Sequence, residues 1–370
     1  MRIRPSLGEG AEWPEMVAAR SRLSRPPKRL GARLRALIAG GGLVSLAWLG
    51  LAGPVSAHSG TPPSPPSLPS VLFLWSFDPT IVVPLVVAAV GYLWMVRRVN
   101  AAHPMSHVRG IRLACWLLGL LAIEIALQSP IEAYDSTLFS DHMVQHVLLT
   151  MVAAPLLVLG APITLLLRFS RPEVRRRWIL PVLHSRILRA ISFPVVTWIL
   201  FAGYMWVAHF SGLFELALEN PLVHQLEHAG FLITALLFWW TAVGIDPTPW
   251  RMRHPHRLVY TFLQMPQNTF LGVVLYSAAV PLYTHYVNQV RTWGPSVIDD
   301  QRLAGGIMWI TGDVVFMLAV MLILGGLLRH EERETAAIDA RVAPQVAAIR
   351  EREVRLAERL ANERGDPRSG

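Results

Sequence analysis

Cysteine is almost absent from this chain: Cys115 is the only one. Intrachain disulfides, thiolate zinc sites and CxC or CxxC copper relays are thereby excluded. Cys115 itself lies in an apolar run and reads as a small packing residue. Charge is scarce too, at 16% of 370 residues against 53% apolar. That is too little for an ordinary soluble domain, and the apolar content is enough for several membrane spans. The net charge of +9 does not point to nucleic acid, because most arginines sit in short segments between apolar runs, where they act as topology signals.

Residues 1–34 are basic and proline-bearing, and they lead into an apolar stretch near 36–52 that closes on Val55-Ser56-Ala57, a small-residue cleavage pattern. The expectation is a signal peptide over 1–57, or an extra span if the segment is retained. Cleavage after Ala57 would leave His58 at the N-terminus, where amine and imidazole together can grip Cu(II). Residues 58–72 carry the stretch TPPSPPSLPS and read as an extended extracytoplasmic linker.

Seven apolar segments follow, near 79–96, 112–129, 142–167, 191–209, 222–244, 259–283 and 303–328. Each is close to or above the roughly 20 residues that cross a bilayer. Their connections alternate in charge. Arg97, Arg98, Arg109 and Arg112 follow the first segment, and Arg168, Arg171, Arg175, Arg176, Arg177, Arg186 and Arg189 the third. Arg251, Arg253 and Arg257 follow the fifth, and Arg329 opens the tail. The positive-inside rule makes these connections cytoplasmic. Residues 130–141 and 210–221 contain no arginine or lysine, and 284–302 has only Arg291 and Arg302, so these belong outside. The expected fold is all-α: a transmembrane bundle of seven spans over 73–330, N-terminus outside, with a charged cytoplasmic helical tail over 331–370. In that tail Val342, Val346, Ile349, Leu356 and Leu360 fall near heptad spacing despite Pro344 and Glu353.

This topology sorts the histidines. His142 and His146 open the third span at its outer end, His209 closes the fourth there, His224 and His228 open the fifth, and His285 follows the sixth. His103, His107, His184, His254, His256 and His330 fall on the inner side, where solvation or headgroup contact accounts for them. The HxxxH spacing puts both imidazoles of a pair on one helix face. His146 and His228 lie about 6 Å deeper than their partners, at 1.5 Å per residue. Neutral imidazole is a good ligand for copper, zinc or iron, and two helices each offering such a pair can enclose a four-coordinate ion. The candidate metal site is therefore His142, His146, His224 and His228, with His209 and His285; the plain alternative is a set of interfacial hydrogen bonders.

Asp135, Asp141, Glu227 and Asp299 either orient imidazoles or are solvated, and solvation is the simpler reading for any one of them. Glu124, Gln264, Gln267, Asn268 and Asp313 lie within spans and must face the bundle interior. Asp313 is either a proton or ion relay or a buried carboxyl bonded to the amides of the sixth span. Met143, Met205 and Met308 offer thioethers suited to Cu(I), or simply pack. Pro155, Pro194, Pro266 and Pro281 read as kinks in membrane helices.

The phrases HMVQHVLLTMVAAPLLVLGAP at 142–162, HQLEHAGFLITALLFWWTAVGIDP at 224–247, QMPQNTFLGVVL at 264–275 and DQRLAGGIMWITGD at 300–313 together resemble the seven-span CtaG family of cytochrome c oxidase assembly factors. The resemblance covers roughly residues 73–330. It implies a multi-pass plasma-membrane protein, not an enzyme, needed to assemble an active haem-copper oxidase. Oxidase subunits and the lipid bilayer would be its partners, and copper supply to the oxidase's buried copper centre its suggested task. Three rivals stand beside it. One is a membrane-embedded zinc hydrolase with Glu227 or Asp299 as base. The others are a haem protein using one histidine from each of two helices, and a scaffold whose histidines only hydrogen-bond.

Overall fold

The computed structural model describes residues 64–67 and 74–365. The signal-like segment, His58 and most of the proline linker lie outside them. Among the described residues every regular element is helical. The main helices are α1 (Pro79–Ala102), α2 (Gly110–Gln128), α3 (Phe139–Phe169), α4 (Pro194–Phe210), α5 (Leu213–Glu219), α6 (Pro221–Val243), α7 (His254–Phe262), α8 (Gln264–Ser277), α9 (Thr284–Asn288) and α10 (Val297–Gly365). Five are long and apolar enough to cross a bilayer: α1, α2 with its extension to Tyr134, α3, α6 and α10. The pair α4 and α5, bent by 67°, makes a sixth if it is counted as one span.

The apolar segment expected as a single span over 259–283 departs from that expectation. It forms two helices, α7 and α8, separated at Leu263, and the chain leaves helix after Ser277. Pro266 is the local cause, since it has no N–H and its ring crowds the carbonyl four residues back. Two of the prolines read as kinks are not kinks. Pro194 is the first residue of α4, where its missing donor would be unpaired anyway, and Pro281 lies outside any helix. Pro155 does sit inside α3. Just before it, over Leu148–Ala153, the helix widens so that the Ala154 N–H reaches back five residues to Leu149 O. Pro155 cannot bond the Met151 carbonyl, which loosens the ladder there. The Trp239 indole N–H donates to Thr150 O at 2.8 Å and supplies that widened turn with a partner from α6.

Side chains that fill the main core come from α3, α4, α6, α8 and α10, with Phe201, Phe231, Phe238, Trp239, Leu271, Leu275 and Phe316 fully buried. Helices α8 and α10 cross backbone to backbone. A Cβ on Gly272 would stand 3.0 Å from Gly305 O, and one on Gly305 would stand 2.8 Å from Gly272 O, so only glycine fits either position. Small residues at a crossing allow this approach in membrane bundles. Asp313 on α10 accepts from Thr269 Oγ1 at 2.5 Å and Asn268 Nδ2 at 3.3 Å on α8, which gives the buried-carboxyl alternative its partners.

The Gly-Pro phrases at 160–162 and 244–247 are joined in space. Ala161 takes the left-handed conformation at φ 52°, and a helix restarts at Pro162. Asp246 then accepts the N–H groups of Ile163 at 3.0 Å and Thr164 at 2.7 Å, a helix N-cap supplied from another part of the chain.

Candidate metal centre

Two capping arrangements set the histidine pairs in place. Leu138 is extended, α3 starts at Phe139, and the first free N–H groups point toward α10. Asp300 takes the Phe139 N–H at 2.7 Å and the Ser140 hydroxyl at 2.5 Å, docking the start of α3 on the start of α10. On α6, Asn220 Oδ1 accepts from Leu222 N at 3.0 Å and Val223 N at 3.3 Å, and Pro221 occupies the first helical position. The i, i+4 spacing then brings the imidazoles of each pair together, edge-on for His142 and His146 with ring centroids 4.4 Å apart and tilted for His224 and His228 at 4.2 Å.

The two pairs meet. His142 lies 5.3 Å from His224 and 5.8 Å from His228, and His146 lies 5.5 Å from His228, ring to ring. His209 closes α4 with its ring 6.0 Å from that of His146. All five are at most 6% exposed. Two acids join them: Glu227 Oε2 is 3.8 Å from His142 Nε2, and Asp135 Oδ2 is 3.3 Å from His224 Nε2. Burial, and after it the Glu132 carboxylate, pushes the Asp135 carboxyl well above the ordinary carboxylate range.

Three overlapping sets bring their donor atoms within 4.8 Å of one another: His142 with His224 and His228, His142 with His146 and Glu227, and Glu132 with Asp135 and His224. Whether these residues suit a cation can be judged from their hydrogen bonding. Both nitrogens of His142 and of His146, His228 Nε2, and both carboxylate oxygens of Glu227 are buried without a hydrogen-bond partner among the described residues. Leaving a buried polar group unpaired costs roughly 1–3 kcal/mol, and native interiors rarely tolerate it. A neutral imidazole offers one lone pair and one N–H, so a cation can engage one nitrogen of each ring together with a Glu227 oxygen, and the donor set fits a metal ion. His209 is fixed more definitely. Its Nδ1 lies 2.7 Å from the Met205 carbonyl, which can only accept, so Nδ1 carries the proton and Nε2 carries the free lone pair.

His285 does not join the cluster. It is half-buried, and its Nε2 lies 2.9 Å from Ser136 O, with Gln289 at 3.2 Å. Together with the Tyr286 hydroxyl, which donates to Asp135 O at 2.9 Å, it holds the segment that presents Asp135. Solvation, the simpler reading for each acid, holds for Asp299, which is exposed and faces Arg302 at 3.4 Å. It fails for Asp135 and Glu227, which are 0% and 1% exposed. Two contributors went unnoticed in the sequence. Glu132 carried no distinguishing signal. Met151, which lines a cavity next to the cluster, stands eight residues after Met143 and so on the same helix face, a spacing that would have found it.

The sequence profile of the cytochrome c oxidase caa3 assembly factor family matches residues 90–330. The chain belongs to this family. Every clustered histidine lies inside the segment that the chain shares with its family, as do Glu132, Asp135 and Glu227, whereas the helix beyond residue 330 lies outside it. Uncharacterized proteins of Mycobacterium bovis and Mycobacterium tuberculosis are each 33% identical over 281 residues, 73% of this chain and 42% of their own length. One of Mycobacterium leprae is 29% identical over the same extent. The chain therefore spans less than half the length of the curated relatives it matches. No solved structure matches it.

Proposed function

We propose that this assembly factor holds copper, as cargo, at the buried imidazole cluster and supports formation of the copper centre of a haem-copper oxidase. It does so in the plasma membrane, with the cluster toward the extracytoplasmic side and oxidase subunits as its partners. The observation that carries the reading is the set of unpaired imidazole nitrogens of His142, His146 and His228 at one point in the bundle. Such a set is costly when empty and favourable around a soft or borderline cation. His142 and His224 each belong to two of the three donor groups and so link them. Glu227 and Asp135 offset the cation's charge, and imidazole alone can retain copper where no cysteine is at hand. The arginine-rich connections favour the opposite end of the bundle as cytoplasmic. None of these roles is catalytic.

One observation favours a second reading. His142, His146 and Glu227 supply two imidazoles and a carboxylate, a donor set that zinc hydrolases use with an open fourth position. The cavity that His146 lines measures about 10 Å³, room for a water and not for a lipid ester.

Elemental analysis of detergent-purified wild type beside His142→Ala/His146→Ala, with an optical spectrum of both, tests the proposal. Copper near one per chain that disappears in the double variant is the expected result. Zinc in its place supports the hydrolase, a Soret band would mean haem, and no metal even after copper loading leaves a scaffold. A second arm measures oxidase activity in cells carrying either single variant, where normal activity with both would overturn a role in assembly.

A further inference from the structure

Below the imidazole cluster the chemistry of the bundle changes. The small cavity there is walled by Met143 and Met151 of α3, Met205 of α4 and Met308 of α10, together with His146 and His209. All four methionines are at most 4% exposed. Four of the chain's 12 methionines thus converge from three helices on one point, which ordinary packing does not require of a residue used sparingly as filler. The second observation is independent of the sulfur. His209 Nε2 and both nitrogens of His146 are buried, lack hydrogen-bond partners among the described residues, and belong to side chains that line this cavity. The fixed Nδ1 proton of His209 makes its Nε2 an available donor. Asn268, which also lines the cavity, gives its Nδ2 to Asp313 and Met308 O, and its Oδ1 is one more buried atom there without a partner among the described residues.

Thioether and imidazole without carboxylate is a soft donor set. It suits Cu(I), whereas the cluster above, with Glu227, Asp135 and Glu132 at its edge, also suits harder divalent ions. We infer that the methionine-walled cavity is a second metal site, selective for Cu(I), that takes thioether ligands from α3, α4 and α10 and shares His146 with the imidazole cluster above it. The inference rests on the copper reading of that cluster and extends it by giving the bundle two donor environments in series, mixed nitrogen and oxygen first, nitrogen and sulfur deeper. No change of oxidation state is needed for the deeper site to fill when Cu(I) itself is supplied.

The test uses full-length detergent-purified protein with all methionines replaced by selenomethionine, loaded anaerobically with Cu(I). X-ray absorption at the selenium edge is expected to show copper as a neighbour of selenium. In unlabelled protein, Met205→Leu/Met308→Leu keeps apolar volume close to native. It is expected to lose about one equivalent of Cu(I) in competition with a chromophoric chelator, while Zn(II) binding at the cluster persists. Copper bound with no selenium neighbour, and a leucine variant that titrates like wild type, would overturn the second site alone. Failure of wild type to bind copper in either oxidation state would overturn the cluster reading and this one with it.

Discussion

At the scale of single residues, the histidines divide by what their ring nitrogens already do. Among the described residues His209 has one nitrogen engaged and one without a partner, His142 and His146 have no hydrogen bond at either nitrogen, and His285 donates its Nε2–H to Ser136 O. Removing a ligand and removing a hydrogen bonder should therefore look different. His285→Ala is expected to leave the copper stoichiometry of the purified protein unchanged while lowering its stability by about 1 kcal/mol, the worth of one intramolecular hydrogen bond. Metal analysis beside a thermal melt checks both halves, and loss of copper in this variant would return His285 to the ligand set. The meeting of the two HxxxH pairs was legible in the sequence because spacing and the sign of the flanking loops both pointed to one end of the bundle. His285 was included on that same ground, which fixes depth but not direction. Asp135 and Glu227 were harder to read, since an acid near a helix start is usually solvated, and Asp135 is buried by partners distant in sequence, α9 bonding the 135–136 carbonyls and His224 of α6 facing its carboxylate.

At the scale of elements, the site depends on where helices begin. Asp300 follows the exposed Asp299 directly and faces Arg291 at 3.9 Å, and it receives the Phe139 N–H and the Ser140 hydroxyl, and so fixes the entry of α3 one turn before His142. Asp300→Ala leaves those donors buried without a partner. A loss of about 1–2 kcal/mol, in the range of N-cap deletions, is expected in a thermal melt, along with weaker copper binding at unchanged stoichiometry. If copper affinity held at its wild-type value while stability fell, the docking of α3 would not position the ligands. The apolar runs announced most of these helices, but not their breaks. The division of 259–283 into α7 and α8 and the widened turn before Pro155 each follow from a missing proline donor. Pro194 has the same chemistry and causes no break, because it falls at a helix start. A proline's effect depends on its position within the helix, and that position is set by capping partners distant in sequence.

At the scale of the whole molecule, the bundle and its appendage obey different physics. The seventh apolar segment and the charged tail, expected as two helices, form one: α10 runs on to Gly365 through Pro344. Every residue from 331 to 360 is exposed, including Val342, Val346, Ile349, Leu356 and Leu360, which are between 43% and 58% exposed. The described part of this extension thus contributes no side chain to the core, and it lies beyond the family match, which ends at residue 330. An isolated helix gains little from propensity alone, since helical stability in proteins comes mostly from packing a face. The bundle's folding should accordingly be indifferent to it. A chain ended after His330 is expected to keep the copper stoichiometry of the full-length protein and to melt within about 0.5 kcal/mol of it, as for changes at exposed surface. Thermal unfolding and metal analysis of the two forms in the same detergent decide the matter. A truncated form that melts markedly earlier would mean that the near-heptad stripe is buried in solution and that the tail stabilises the bundle through a contact it makes there.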